Sequence, residues 1–309
     1  MTARVVRVAA VQAAAAFLDL AGTLDRTEEW ARRAAAEGAK IIAFPETWLP
    51  GYPAWLDSSP EAAVWAHAGA KAVFARLMEN AVVVPSASTE RLATLARELG
   101  VTLVLGAHER AGRTLYNALL TFGPDGSLLN HHRKLMPTYS EKLVWGIGDG
   151  HGLRAVDTGL ARVGGLVCWE HWMPLARQAM HDAGEEIHVA VWPGVPEMHQ
   201  VASRHYAFEG RCFVIAVGSI LRLCEMPAEL PPVEKYANSP RGLMLAGGSA
   251  IIAPDGRYLA GPVYDEETVV TADCDLSEIA KESQTLDVSG HYSRRDVLEL
   301  VVKASPSRR

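Results

Sequence analysis

The chain has 309 residues with 36 acidic and 30 basic side chains, a formal charge of −6, 49% apolar and 21% charged residues. A chain of this length and composition buries roughly three quarters of its unfolded surface, which excludes disorder, and its mildly acidic balance carries no electrostatic footprint for nucleic acid or anionic lipid. Cys168, Cys212, Cys224 and Cys274 stand far apart with no CxxC pair, so neither a zinc ribbon nor a disulfide framework is written and the thiols read as reduced.

Arg4 and Arg7 interrupt the apolar stretch from Met1 to Ala16, which leaves no signal-peptide core, and no run of about 18 apolar residues follows. A cytoplasmic protein with no membrane partner is expected. Val5 to Gln12 reads as a buried strand, Leu24 to Lys40 places Leu24, Thr27, Ala31, Ala34, Ala35 and Gly38 at helical spacing, and Lys40 to Phe44 returns as a strand. Pro60 to Asn80 and Thr89 to Leu99 predict two helices, the second stopped by Gly100. Val101 to Ala107 is so apolar that both faces of this strand need cover. Asn117 to Phe122, Pro124-Asp125-Gly126 and Ser127 to Lys134 then read as strand, tight turn and strand.

Further along, Val163 to Cys168, Ile187 to Trp192 and Phe213 to Gly218 predict strands, separated by helices over Pro174 to Ala183 and Pro196 to Arg211. Cys224 to Arg241 has four prolines and little periodicity, so a surface loop is expected there. Ser249 to Ala253, Pro254-Asp255-Gly256 and Arg257 to Ala260 repeat the earlier hairpin and suggest two similar halves. The alternation predicts a single α/β layered domain over residues 1–309.

Three strand ends carry candidate chemistry. Cys168 follows an apolar strand and precedes a helix with Pro174 in its first turn, a corner where a thiol stands clear of the sheet and backbone N–H groups face a developing anion. Taken alone, the same position suits a small buried hydrophobe. Glu46 ends the strand from Lys40 to Pro45 and is enclosed in sequence by Trp48, Tyr52, Trp55 and prolines, so it reads either as a solvated loop carboxylate or as a desolvated base. Lys134 closes the strand from Ser127, and Glu141 follows seven residues later; alone, both read as surface residues. A thiol with a pKa near 8.5 is only about 3% thiolate at pH 7, so a nucleophilic Cys168 needs a base or a cation beside it, which Glu46 and Lys134 could supply.

Phe44-Pro45-Glu46-Thr47-Trp48-Leu49-Pro50-Gly51-Tyr52-Pro53, His132-Arg133-Lys134-Leu135-Met136-Pro137-Thr138 and Cys168-Trp169-Glu170-His171-Trp172-Met173-Pro174-Leu175 resemble, in order, the three signature blocks of the nitrilase superfamily. The resemblance runs from Val5 to about Leu300 and is nearest the true nitrilase branch, where a Trp-Glu pair follows the nucleophile. It implies a four-layer α-β-β-α sandwich, with Glu46 as general base, Lys134 as electrophilic stabiliser, Cys168 as nucleophile and Glu141 as the second, positioning glutamate. It implies hydrolysis of a small-molecule nitrile to the acid and ammonia through a covalent thioimidate and thioester, with no metal or organic cofactor. An amidase of the same superfamily, a nitrile-hydratase-type partition to the amide, or a non-catalytic binding protein remain the alternatives.

Trp169, beside the nucleophile, with Trp172, Trp192 and Tyr52, are substrate-pocket candidates, each also readable as a core aromatic. His171 stands where many nitrilases have asparagine, which leans toward arylaliphatic substrates, and Arg295 replaces a usual proline in the late motif from Gly290 to Asp296. The chain stops at Arg309, whereas filament-forming relatives carry longer tails, so a homodimer or higher homo-oligomer is expected without a spiral being implied. His205 and Glu209, four apart on a helix, read as a chance pair and not a metal site. Gly146 to Gly150 lacks the lysine and serine of a phosphate loop.

Overall fold

The structure, a computed structural model, describes residues 4–304; Met1, where the leader reading starts, and the chain end at Arg309 lie outside the described residues. Strand β1 (Val5–Gln12) is buried on both faces from Val8 onward. Helix α1 (Leu20–Ala36) starts earlier than its periodicity predicts because Asp19 caps it, accepting the Gly22 N–H at 3.0 Å. It also stops earlier, because Gly38 adopts φ 90° and leaves the helix face to which its spacing assigned it. Strand β2 (Ile41–Ala43) is short and fully buried.

The single helix predicted over Pro60 to Asn80 is broken into pieces. Helix α2 (Trp55–Ser58), a 3-10 turn (Pro60–Ala63) and helix α3 (Ala68–Glu79) replace it. Ala66 at φ 59° turns the chain, and the His67 ring caps α3 by accepting the Ala70 N–H at 3.2 Å. Helix α4 (Ala87–Leu99) ends at Gly100 in the left-handed region, as the sequence predicts.

Strands β3 (Thr102–Ala111), β4 (Thr114–Phe122) and β5 (Leu128–Arg133) complete the first half of the chain. The second half is β6 (Val156–Asp157), β7 (Arg162–Val167), α5 (Pro174–Asp182), β8 (Ile187–Val191), α6 (Glu197–Gly210), β9 (Phe213–Val217) and β10 (Ile220–Arg222). After these come α7 (Glu234–Ala237), β11 (Leu243–Ile252), β12 (Tyr258–Tyr264), β13 (Thr268–Asp275) and α8 (Ser277–Glu282). The stretch predicted as a loop from Cys224 to Arg241 contains only short helical turns, and its Leu230 is buried in a cluster with Trp55 and Trp145.

One sheet has the order β13-β1-β2-β3-β4-β5 and the other β10-β11-β9-β8-β7-β6, with β12 beside β11. Each has a parallel core, β1-β2-β3 in the first and β7-β8-β9 in the second. Each also carries a hairpin whose Pro-Asp-Gly turn has the same bonds: the Asp125 and Asp255 carboxylates accept the N–H groups two residues on, and Gly126 and Gly256 sit at φ 84° and 83°. Val8, Val104 and Leu119 of the first sheet pack with Val167, Val189 and Ile215 of the second. On the outer faces, α1 and α4 cover Ile42, Leu103 and Leu105, and α5 and α6 lay Met180, Ala202 and Tyr206 on the second sheet. The layers are therefore α-β-β-α, the order that two sheets with one apolar face each toward the other and one toward helices must adopt. Among the described residues no helix is long and apolar enough to cross a membrane, and all four cysteines are free thiols.

Candidate active site

The parallel strands β2 and β7 end on the same side of the sandwich, and the residues that leave them converge. Cys168 follows β7 directly and opens a 3-10 helix (Cys168–Trp172) with φ 51°, a left-handed conformation that costs a non-glycine residue of order 1–3 kcal/mol. The corner is held from below by Glu170. Its carboxylate accepts the N–H groups of Val167 and Leu135, both at 2.7 Å, and meets His132 Nε2 at 2.9 Å. Although burial pushes the Glu170 carboxyl up, His132 and those backbone donors hold it below the usual range. One carboxylate thus ties the cysteine corner to the end of β5.

Glu46 leaves β2 through Pro45, whose carbonyl accepts the Gly106 N–H at 3.1 Å. The approach requires glycine there: a Cβ at Gly106 would lie 2.3 Å from the Thr47 nitrogen. The Glu46 side chain is fully buried, and its Oε1 accepts from Asn117 Nδ2 at 2.7 Å and Lys134 Nζ at 3.1 Å. Its Oε2 is buried with no hydrogen-bond partner. A carboxylate oxygen of Glu46, one of Glu141 and the Cys168 Sγ lie within 4.8 Å of one another. Burial first, and then the Glu141 charge, push the Glu46 carboxyl up to about 7 against the pull of Lys134. Burial and the same Glu46 charge push the Cys168 thiol well up.

Lys134 is one of the largest fully buried side chains, contrary to the surface reading its type alone supports. Its backbone N–H bonds the Asn117 carbonyl at 2.8 Å, so β4 aligns both partners of Glu46. Its Nζ donates to Glu46 and, at 2.7 Å, to Glu141 Oε2. Burial pushes this ammonium down, but Glu46, Cys168 and Glu141 outweigh it and its pKa rises above the ordinary range. Glu141 also accepts the Thr138 N–H at 2.7 Å and the Tyr52 hydroxyl at 3.0 Å, so donors already occupy both its oxygens. Two carboxylates against one ammonium leave a net negative charge in a buried site, and protonating Glu46 removes it.

Glu46, Glu141 and Cys168 have the donor set and proximity of a metal site. The Lys134 ammonium, at 3.1 and 2.7 Å from the two carboxylates, already supplies the positive charge a cation would bring there.

Cys168 and Glu141 form the floor of a cavity of about 1210 Å³. Of the predicted pocket aromatics, Tyr52, Trp169 and Trp172 line it, with Trp169 half-exposed. Trp192 does not. It is fully buried, bonds Ser203 Oγ at 3.2 Å and backs the edge of Trp172, because the pleat at the end of β8 turns it toward α6. His171 is likewise buried away from the cavity, stacked on Trp192 with ring centroids 4.6 Å apart, so it exerts no contact on a substrate.

From sequence alone no role falls to Asn117, to Glu170, present only as part of the cysteine block, or to the cavity residue His199. Alternation along β4 and β5, which turns Asn117, Leu119 and His132 inward, is the signal that could have found the first. The Glu209 carboxylate lies 4.0 Å from His205 and is bonded by Arg177 and His181 at 2.6 and 3.2 Å. The glycine-rich segment wraps the lysine strand, with the Gly148 N–H on the Lys134 carbonyl at 2.9 Å.

The carbon-nitrogen hydrolase family matches residues 7–282. The chain is 41% identical to a bifunctional nitrilase/nitrile hydratase of Lupinus angustifolius over 98% of its own length and 87% of the relative's. It is 39% identical to an aliphatic nitrilase of Sinorhizobium fredii, covering 97% and 96% of the two chains. A solved carbon-nitrogen hydrolase from Helicobacter pylori superposes with a TM-score of 0.69 at 20% identity, over 91% of this chain and 93% of that one, and so shares the sandwich.

Proposed function

The chain belongs to the carbon-nitrogen hydrolase family, and from that premise we propose that it is a nitrilase, converting a small organic nitrile to the carboxylic acid and ammonia with Cys168 as nucleophile. The observation that carries the reading is the buried Glu46 carboxylate within 4.8 Å of the Cys168 thiol, one of its oxygens without a hydrogen-bond partner, in a chain about two fifths identical to proteins named for nitrile hydrolysis.

Glu46 takes the thiol proton as Sγ bonds to the nitrile carbon, and the developing charge on nitrogen meets Lys134 Nζ and the Trp169 N–H. The proton Glu46 took passes to that nitrogen, which gives a thioimidate and restores the base. Water, deprotonated by Glu46, adds to its carbon; protonated nitrogen leaves as ammonia and a thioester remains, which a second water cleaves to the acid and the free thiol. If the C–S bond breaks in place of the C–N bond at the first tetrahedral intermediate, the product is the amide. The bifunctional name of the lupin relative supports such a side reaction. Glu141, its oxygens occupied, positions Lys134 and Tyr52.

Trp169, Trp172, Met136, Met173 and Tyr139 around the cavity favour aromatic or arylaliphatic nitriles. Each methylene difference is worth only about 1–3 kcal/mol, so the substrate range is broad. Leu175, Met198, Val201 and Phe208, exposed on α5 and α6, support association into at least a homodimer, and the four free thiols suit the reducing cytoplasm. The test uses aliphatic mononitriles, dinitriles, arylacetonitriles, benzonitriles and cyanide beside matched amides, with ammonia, acid and amide quantified separately. Acid and ammonia from nitriles in equal amounts are expected, with arylaliphatic nitriles fastest; turnover of amides alone would make the protein an amidase.

A further inference from the structure

Behind the nucleophile, away from the substrate cavity, runs a line of buried titratable side chains that the mechanism above does not use. His171 Nδ1 lies 2.6 Å from the Cys168 carbonyl oxygen, His171 Nε2 lies 3.0 Å from His188 Nε2, and His188 Nδ1 lies 2.8 Å from Glu185 Oε2. All three side chains are buried, and none lines the cavity. Glycine in the preceding strand makes room for the carboxylate: a Cβ at Gly164 would lie 2.0 Å from Glu185 Oε2.

The heavy-atom distances fix a proton count whatever the tautomers. A carbonyl oxygen and a carboxylate can only accept, so three contacts in series need three protons, and two neutral imidazoles bring only two. Two facing nitrogen lone pairs at 3.0 Å would repel, so the third proton is on the line, either making an imidazolium or protonating Glu185. The surroundings of Glu185 favour the first. The Tyr206 hydroxyl donates to Oε1, the His181 ring stands 3.7 Å away and His188 Nδ1 faces Oε2, so both oxygens meet donors as a carboxylate does. His171 is pushed well down by burial and by His188. Because the Cys168 carbonyl takes the His171 Nδ1 proton, the protons of the other two contacts fall to His188, which donates to both neighbours.

We propose that His171 and His188 are a proton-bearing pair, charged against Glu185, whose role is to hold and polarise the Cys168–Trp169 peptide so that its N–H is aimed at the anion formed in the reaction. In a trans peptide the carbonyl and the N–H point in opposite directions. A donor that fixes the Cys168 carbonyl from behind therefore turns the Trp169 N–H toward the reacting side. That N–H lies in the first turn of the 3-10 helix and has no partner within it. Donation into the carbonyl by an imidazole backed by an imidazolium strengthens the N–H as a donor, and the left-handed Cys168 leaves the peptide dependent on such a hold. His171 and His188 are thus positioning residues.

The groups packed around the pair are His181 and Arg177 from α5, Tyr206 and Glu209 from α6, and Cys212. Arg177 donates to the His171 carbonyl at 3.1 Å and to Glu209 at 2.6 Å, and His181 meets Glu209 at 3.2 Å. His181, Glu185 and Glu209 line a separate cavity of about 230 Å³, so the line reaches water without crossing the substrate site.

The inference rests on the nitrilase reading for its kinetic part, whereas the proton count does not, and the experiment separates them. Nitrogen-15 NMR of the full chain with labelled histidine reads the protonation of each ring, with His171→Ala and His188→Phe supplying the assignments. One imidazolium is expected in the pair, with His171 donating through Nδ1; in Glu185→Gln both rings are expected neutral. Steady-state kinetics of Glu185→Gln and His171→Ala should show kcat lower by about tenfold or more with KM unchanged, since neither residue lines the cavity. His171→Asn, whose amide can still donate to the Cys168 carbonyl, should recover most of the loss. Two neutral imidazoles in the unaltered protein would overturn the proposal. So would an imidazolium at His188 accompanied by unchanged kcat in both variants, or His171→Asn as impaired as His171→Ala. A protein that turns over no nitrile but shows the imidazolium would overturn the functional reading and leave the proton count standing.

Discussion

Cys168→Ala is expected to lower kcat for nitrile hydrolysis by about 10⁵-fold or more, which amounts to no measurable turnover. The reason is that no second group can form the bond to carbon. Glu141 is occupied by Lys134, Tyr52 and the Thr138 N–H, Lys134 is pinned as an ammonium between two carboxylates, and Glu46 is the proposed base. The change should spare the fold. Removing one buried sulfur costs about 1 kcal/mol, a shift of only a few degrees in Tm for a chain of this size, and the corner keeps the Glu170 bonds to Val167 and Leu135. Product quantification with circular dichroism and a melting curve checks both halves. Retained turnover in the folded variant would remove Cys168 from the mechanism.

Glu46→Gln isolates the proton acceptor. The amide oxygen can still accept from Asn117 and Lys134, so the shape of the site survives while the basicity of the second oxygen is lost. General-base catalysis contributes about 10²–10⁴-fold, and because Glu46 is the base for attack and for both waters, the loss in kcat should lie at the upper end, near 10⁴-fold. The pH profile supplies an independent reading. Burial pushes Glu46 up to about 7, so the acid form dominates below that pH. As pH falls through 7 the base is lost, and kcat/KM should drop tenfold per pH unit; above about 8 that limb should be flat. In Glu46→Gln the residual activity should show no such limb. A parent profile flat down to pH 5 would show that Glu46 is ionised throughout and is not the titrating base.

Most of this site was legible in the sequence because Glu46, Lys134 and Cys168 occupy strand ends within contiguous motifs that resemble a known family's. The apolar strand before Cys168 and the Pro174 helix start after it place the thiol at a corner, and the corner is present. Lys134 shows the limit of reading residues singly, since nothing in its own neighbourhood announces that Glu46, 88 residues away, will meet it together with Glu141 and bury it. The partners of Asn117 and Glu170 were out of reach for a related reason, although alternation along β4 turns Asn117 inward. Their functions are hydrogen bonds across 71 residues to Glu46 and across 38 and 35 to His132 and Leu135, and local pattern carries no such distance. Trp192 was misplaced because a strand end fixes the height of a side chain but not which face it takes. The helix errors are of another kind: an Asp19 cap, a His67 cap and left-handed turns at Gly38 and Ala66 override hydrophobic spacing by satisfying backbone donors locally.

The central claim is a covalent bond between one sulfur and the substrate's carbon, and rapid-quench mass spectrometry observes it directly. The unaltered protein is mixed with a turned-over nitrile, stopped in acid while acid product is still accumulating, and digested. The account predicts a peptide containing Cys168 that is heavier by the mass of the nitrile, or by the corresponding acyl group at longer times, and predicts its loss in Cys168→Ala. Acid forming while that peptide stays unmodified, or an adduct on the exposed Cys224 in its place, would contradict the account.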